Sequence, residues 1–301
     1  RRPPRPKRGA LPSALHPGVV LSPQSSIILS RTIVKDAASA RVVAGPSPNE
    51  EQDTSMDPIL YHAHHEMYRE DLDFWEDITR GRSPVLELGC GTGRVLVPLA
   101  RAGRTVWGVD RALDYLRFGK GILDREPGEV RDRVNLVAAQ MTQVGLREVF
   151  GSVILPCNTF STLSAAERSR VFGEAHRLLK PGGWFVFSVP HPSLLEMNFS
   201  VSPEPDVEAR FLHPQTGRPV LVSSLVKSQG DRVLWTWRYE ELSGDGVVRR
   251  TEAVTAHAKT SLQEYSQQGE AAGFQIRDLF GDFDRTSLRD DQPYLIMVLE
   301  R

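Results

Sequence analysis

The segment Val85-Leu86-Glu87-Leu88-Gly89-Cys90-Gly91-Thr92-Gly93 constrains the fold more than any other stretch of this 301-residue chain. Four residues of buried-strand character run into three glycines spaced GxGxG. A helical pattern follows, with Val95, Leu96, Leu99 and Ala100 on one face. Glycines at such a junction let the backbone turn tightly and let a ligand approach its amides at the start of a helix. A strand, a glycine loop and a helix in that order imply an α/β fold with a cofactor at the carboxyl end of a parallel sheet.

The rest of the chain extends this pattern. An opening helix is expected at about 59–79, carrying Leu60, Met67, Leu72, Phe74 and Trp75. The second strand, Thr105 to Val109, ends at Asp110. Val134–Ala139, Ser152–Leu155 and Trp184–Val189 read as further short buried strands, with a helix at 164–179 before the last. The rhythm changes after residue 190. Val220–Val226, Arg232–Tyr239 and Val247–Val254 are rich in strand formers with no helix between them, so 190–260 is expected to be an antiparallel insert forming a lid or substrate wall. A helix at 261–272 and strands at Phe274–Leu279 and Tyr294–Leu299 close the chain, and no internal repeat is apparent.

Composition narrows the function classes. The net charge of −1 conceals an asymmetry, because residues 1–48 hold eight Lys/Arg and one acid while residues 49–301 hold 29 bases and 37 acids. An acidic body disfavours nucleic acid, which needs clustered cations on the binding face. Residues 1–55 read as a disordered, basic, Pro-rich leader. The folded domain is expected to span 56–301, and the native chain to begin at Met56, the first methionine. No apolar run reaches the roughly 18 residues a membrane helix needs, so no membrane partner and a cytoplasmic location are expected. The two cysteines, Cys90 and Cys157, fit a reducing compartment and match no zinc spacing.

The GxGxG spacing differs from the GxGxxG of dinucleotide-binding loops, and Glu87 stands two residues before the first glycine. This combination favours S-adenosylmethionine (SAM) over NAD. Asp110, 17 residues after Gly93, is placed to accept hydrogen bonds from both hydroxyls of a ribose. Here the chain resembles the class I SAM-dependent methyltransferases, through LELGCGTGR, VWGVDRALDYL, LPCNTFSTL, HRLLKPGGWFVFSV and AGFQIRDLFGDFD. The resemblance covers nearly all of 57–300. It implies a Rossmann-like seven-stranded sheet, mostly parallel with an antiparallel final strand and helices on both faces. It also implies transfer of a methyl group to an N, O or C nucleophile, leaving S-adenosylhomocysteine (SAH).

Residue by residue, the resemblance implies that Gly89, Cys90, Gly91, Thr92 and Gly93 wrap the methionine portion, that Glu87 supports the loop, and that Asp110 binds the ribose. Arg111, Gln140 and Met141 would border the adenine, with Gln140 standing where the family often has an acid. Pro156, Cys157 and Asn158 would flank the reactive methyl, and Tyr61 and Tyr68 lie on the helix that covers the cofactor. Tyr68, Asn158 and His191 are candidates for a catalytic role; a base is needed only if the nucleophile arrives protonated.

Blander readings compete. His62, His64 and His65 suggest a metal only weakly, since His62 and His65 alone share a face, and a solvated helix face is expected instead. Asp282, Asp284, Asp290 and Asp291 lack the order of a calcium loop and read as a solvated turn. His191 reads more readily as a satisfied loop histidine than as a base, and Cys90 as a small turn residue with no lowered thiol pKa. Trp235, Trp237, Arg238 and Tyr239 either line an acceptor pocket or alternate between a sheet core and solvent. The rival functions are a catalytically silent SAM-binding regulatory protein and an NAD-dependent oxidoreductase. A small-molecule methyl acceptor is the expected partner, and no metal is expected; nothing in the sequence fixes the acceptor or the oligomeric state.

Overall fold

The computed structural model describes the strand Ile27–Leu29 and residues 56–147, 149–197, 205–244 and 246–301. The remainder of the expected leader lies outside the described residues. Strands β1 (Ile27–Leu29), β2 (Val85–Leu88), β3 (Val106–Asp110), β4 (Val134–Ala138), β5 (Phe150–Leu155), β6 (Leu179–Pro190), β11 (Gln275–Phe280) and β12 (Tyr294–Glu300) make one sheet in the order β1-β4-β3-β2-β5-β6-β12-β11. β2 to β6 pair in parallel, and β12 runs antiparallel to both β6 and β11. These seven strands are the expected sheet; β1 adds an eighth, antiparallel to β4. Strand order reverses at β2, with β3 on one side and β5 on the other, which opens a crevice at the carboxyl end of β2.

The helices form where the sequence places its apolar faces. Helix α3 (Leu96–Arg101) buries Leu96, Val97, Leu99 and Ala100, and α6 (Ala165–Leu178) starts with a reciprocal cap between Ser164 and Glu167. A similar Ser261–Glu264 cap starts α8 (Leu262–Ala271). Helix α4 (Leu113–Leu123) follows β3, and the short α5 (Gly128–Arg131) precedes β4. The sheet carries apolar clusters on both faces: one holds Leu86, Leu88, Phe160, Phe172, Phe185 and Phe187, the other Trp75, Val85, Leu96, Leu99, Leu116 and Ile296.

The single opening helix expected at 59–79 is two, α1 (Pro58–His65) and α2 (Leu72–Ile78). The break has a polar cause. The Arg94 guanidinium donates to the Tyr68 carbonyl at 2.9 Å and to the Asp71 carboxylate at 2.6 and 2.7 Å, which draws residues 66–71 out of helical register. The histidines of α1 do not form the expected solvated face, because α1 lies between α4 and the insert; His64 and His65 are buried and His62 half-buried.

The insert is a separate antiparallel sheet in the order β10-β9-β8-β7, reached through the short helix α7 (Pro192–Glu196). Its strands are β7 (Asp206–Leu212), β8 (Pro219–Gln229), β9 (Arg232–Ser243) and β10 (Gly246–Ala258). β7 has no counterpart in the sequence reading. β9 alternates strictly, burying Val233, Trp235, Trp237, Tyr239 and Glu241. That inner face packs with Met56, Leu60 and Tyr61 of the amino-terminal region and Tyr115 of α4. Among the described residues no helix is long and apolar enough to cross a membrane.

Candidate functional site

The glycine loop leaves β2 with Gly89, Gly91 and Gly93 at φ of 69°, 53° and 89°, a left-handed backbone that side chains oppose. Close packing adds a second constraint. A Cβ on Gly119 of α4 would stand 2.9 Å from the Thr92 carbonyl oxygen, and one on Gly108 of β3 would stand 2.7 Å from Cys90 Sγ. Cys90 therefore turns its side chain into the core, where burial pushes its thiol pKa up, and it can offer a ligand only backbone.

Asp110, at the end of β3, is fastened to this loop. Its Oδ2 accepts from the Gly91 amide at 2.8 Å and its Oδ1 from the Ala112 amide at 2.8 Å. Glu87 lies beneath the loop, 3% exposed, and its Oε2 has no hydrogen-bond partner among the described residues. Burial raises its carboxyl pKa well above the usual range, Asp71 and Asp110 add to the rise, and Arg94 opposes it. The shift favours the protonated carboxyl, which can both donate and accept.

Helix α1 covers the loop. His62 Nδ1 lies 3.0 Å from Thr92 Oγ1, and His62 Nε2 lies 3.1 Å from Glu66. Tyr61 is buried between the rings of His65, at 3.9 Å, and Tyr115, at 4.6 Å. Burial, then Cys157, Tyr115 and Asp110, raise the Tyr61 phenol pKa. Tyr68 sits past the end of α1, and its hydroxyl lies 3.4 Å from that of Tyr294. Burial and Asp71 raise its pKa also. Both phenols stay protonated, which suits hydrogen-bond donation rather than proton abstraction.

Opposite α1, Cys157 and Asn158 follow β5 and Pro156 with φ of 65° and 59°. Two successive non-glycine residues in this region store strain that the surroundings must hold. Arg94 Nη2 lies 2.7 Å from Cys157 Sγ. Burial outweighs this cation, and the Cys157 thiol is pushed up to about 11. On the far side, the Ser161 hydroxyl donates to the Asn158 carbonyl at 2.7 Å and lies 2.7 Å from Nδ1 of His257, a residue of the insert.

The remaining candidates divide. Met141 comes over the loop, its Cε 3.4 Å from where a Cβ on Gly89 would stand, while Gln140 bridges to Gln143 beside it. Arg111 is half-buried directly after Asp110. His191 stands apart: its Nδ1 accepts from the Ser193 amide at 3.2 Å, capping α7, and its amide donates to Pro293. Among the described residues no His, Cys, Asp and Glu are grouped to hold a metal. Arg94, His62 and His257 enter the site unforeseen. Arg94 closes the LELGCGTGR motif, but its partner Asp71 lies 23 residues away in sequence, and spacing alone does not pair them.

Residues 85–183 of this chain, from β2 through the turn into β6, match a family described as "Methyltransferase domain". Among curated relatives, a protein of Geobacillus sp. (strain WCH70) named as a methyltransferase is 22% identical over 205 residues, covering 68% of this chain and 78% of that protein. A similarly named Bacillus subtilis (strain 168) protein is 24% identical over 206 residues, 67% and 77% of the two chains. The methyltransferase fold is shared with the SAM-bound amino pentose methyltransferase CalS10 of Micromonospora echinaspora (TM-score 0.62, 20% identity, 86% of this chain and 100% of that one). It is shared also with the sugar N-methyltransferase KedS8 of Streptoalloteichus sp. ATCC 53650 (TM-score 0.63, 19% identity, 87% and 100%).

Proposed function

We propose that this methyltransferase transfers the methyl group of SAM to a small-molecule acceptor held between α1, the turn after β5 and the inner face of the insert. The observation that carries the reading is the clamp of the Gly91 amide by the Asp110 carboxylate, which fixes the glycine loop and the acid at one mouth of the sheet. The site fits the cofactor. The orphaned Glu87 Oε2 and the left-handed glycines offer polar atoms and room for an amino-acid moiety, and Asp110 can accept from a diol. Gly89 to Gly93 would line the methionine portion, Arg111, Gln140 and Met141 the adenine, and Tyr61, Tyr68, Pro156, Cys157 and Asn158 the reacting end.

Bound there, SAM supplies an electrophilic methyl on a sulfonium, so this chain's own residues have to align a nucleophile and exclude water. Buried Tyr61 would wall off the reacting end, next to the turn on which Asn158 is held left-handed. Among the described residues proposed for the reacting end, the Tyr61 and Tyr68 phenols and the Cys157 thiol are not poised as bases, since all three have raised pKa values. An acceptor that arrives with a lone pair, such as an unprotonated amine, suits such a site. A small acceptor also suits a domain whose residues 49–301 carry eight more acids than bases, and CalS10 and KedS8 are named as methyltransferases of an amino pentose and of a sugar.

Incubation of the protein with methyl-labelled SAM and a cell extract separated at about 3 kDa tests the reading. Label is expected in the low-mass fraction. Label confined to protein or nucleic acid, or none with folded protein, would overturn it.

A further inference from the structure

The inner face of the insert carries an aromatic row from one wall of the site to the other. At one end the Tyr239 hydroxyl lies 2.8 Å from His64 Nδ1 on α1, and the His64 ring meets Trp237 edge-on at 5.2 Å. Trp237 stacks beside Trp235 at 5.9 Å with 10° between the planes, and Trp235 meets the edge of His257 at 6.2 Å. His257 contacts Ser161 and, through it, the Asn158 turn. The two indoles therefore occupy the middle of a wall whose ends rest on the element covering the glycine loop and on the turn that flanks the reacting end.

Both indole Nε1–H groups are buried, Trp235 at 7% and Trp237 at 3% exposure, and neither has a hydrogen-bond partner among the described residues. A buried donor left unmet costs free energy, so two adjacent ones on a substrate wall call for a ligand acceptor. Neighbouring hydroxyls are committed elsewhere: Thr255 donates to the Trp235 carbonyl at 3.4 Å and Ser224 to Glu208 at 2.6 Å. From Val233 to Tyr239 the face carries no charged side chain, and burial lowers His64 and His257 to about 4, which keeps both neutral. An anionic group would meet no counter-charge there, whereas uncharged hydroxyl oxygens would accept from the indole N–H groups.

We propose that Trp235 and Trp237 form a subsite for the hydroxyl-bearing part of the methyl acceptor, each indole N–H donating to a ligand oxygen, so that the acceptor is a polyhydroxylated small molecule. The proposal rests on the methyltransferase reading above for the placement of the reacting end. The indoles position the acceptor; they take no part in bond making.

The test uses the full chain with 15N-labelled tryptophan, giving one indole signal for each of its five tryptophans. The Trp235 and Trp237 signals are assigned by Trp235→Phe and Trp237→Phe. D-Glucosamine, D-glucose, cyclohexylamine and hexanoate are titrated with and without SAH, whose own binding is followed by calorimetry. The two hydroxylated probes are expected to move both signals and the other two probes to leave them in place. Each Phe variant is expected to bind D-glucosamine about three- to tenfold more weakly, the loss of one neutral hydrogen bond, with SAH affinity unchanged. Signals unmoved by either hydroxylated probe, equal response to cyclohexylamine or hexanoate, or full glucosamine affinity in both variants would overturn the subsite. If SAH fails to bind, the cofactor reading falls, while the titration without SAH still decides the indoles.

Discussion

Removing the Arg94 guanidinium would leave Asp71, whose side chain is 1% exposed, without its ion partner and free the Tyr68 carbonyl and Cys157 sulfur together. Breaking a buried pair from one side costs about 3–5 kcal/mol, so Arg94→Ala is expected to lower the urea midpoint strongly. Arg94→Lys is expected to recover only part of this, because an ammonium lacks the fork that meets both Asp71 oxygens. A fully stable Lys variant would contradict the bidentate role. Gly119→Ala places a methyl 2.9 Å from the Thr92 carbonyl, backbone that cannot swing aside. A loss of about 1–3 kcal/mol and weaker SAH binding are expected from the displaced loop, read by denaturation and calorimetry. Glycine spacing and the acid at the end of β3 make this part of the site legible in sequence, since both act within about 25 residues of chain. Arg94 with Asp71, His62 with Thr92 and Ser161 with His257 are pairings across 23, 30 and 96 residues, which only the fold brings together.

Between elements, the contact that matters most is the one from β10 to the turn after β5. His257→Ala removes the ring beside Ser161 Oγ, and the Ser161 amide, which donates to the Asn158 carbonyl at 3.2 Å, is expected to exchange hydrogen faster. Unchanged protection across residues 159–163 would show that the insert does not brace the left-handed pair. The elements themselves were largely readable: hydrophobic period and glycine stops mark β2 to β5, α3, α6, α8 and both final strands to within a few residues, whereas β6 starts at Leu179, ahead of the expected Trp184. Two failures have physical reasons. The opening helix breaks where Arg94 captures Tyr68 and Asp71, an effect of tertiary contact that helical periodicity at 59–79 does not reveal. β7 hides because it is a largely exposed edge strand with no buried run to mark it.

For the whole molecule, the buried histidines make stability depend on pH. Burial takes His64 and His257 from an ordinary 6.5 to about 4, and His62, His176 and His191 shift in the same direction. In the window between those values the unfolded chain binds protons that the folded chain refuses, so stability is full above about 6.5 and falls as pH drops toward 4. Each of the two deeply buried rings contributes on the order of 2–3 kcal/mol to that fall. Urea unfolding between pH 7.5 and 5 is expected to show the slope, and His64→Gln to flatten it; a flat wild-type profile would contradict the burial. The central claim is that the Gly89–Gly93 loop and Asp110 together hold SAM, and calorimetric titration of SAM and SAH into the full chain and an Asp110→Ala variant tests it most directly. Micromolar binding of both ligands by the parent chain, undisturbed by NAD and lost in a folded variant, is the predicted result. Absence of binding to the folded parent chain, or undiminished binding to the variant, would contradict the account.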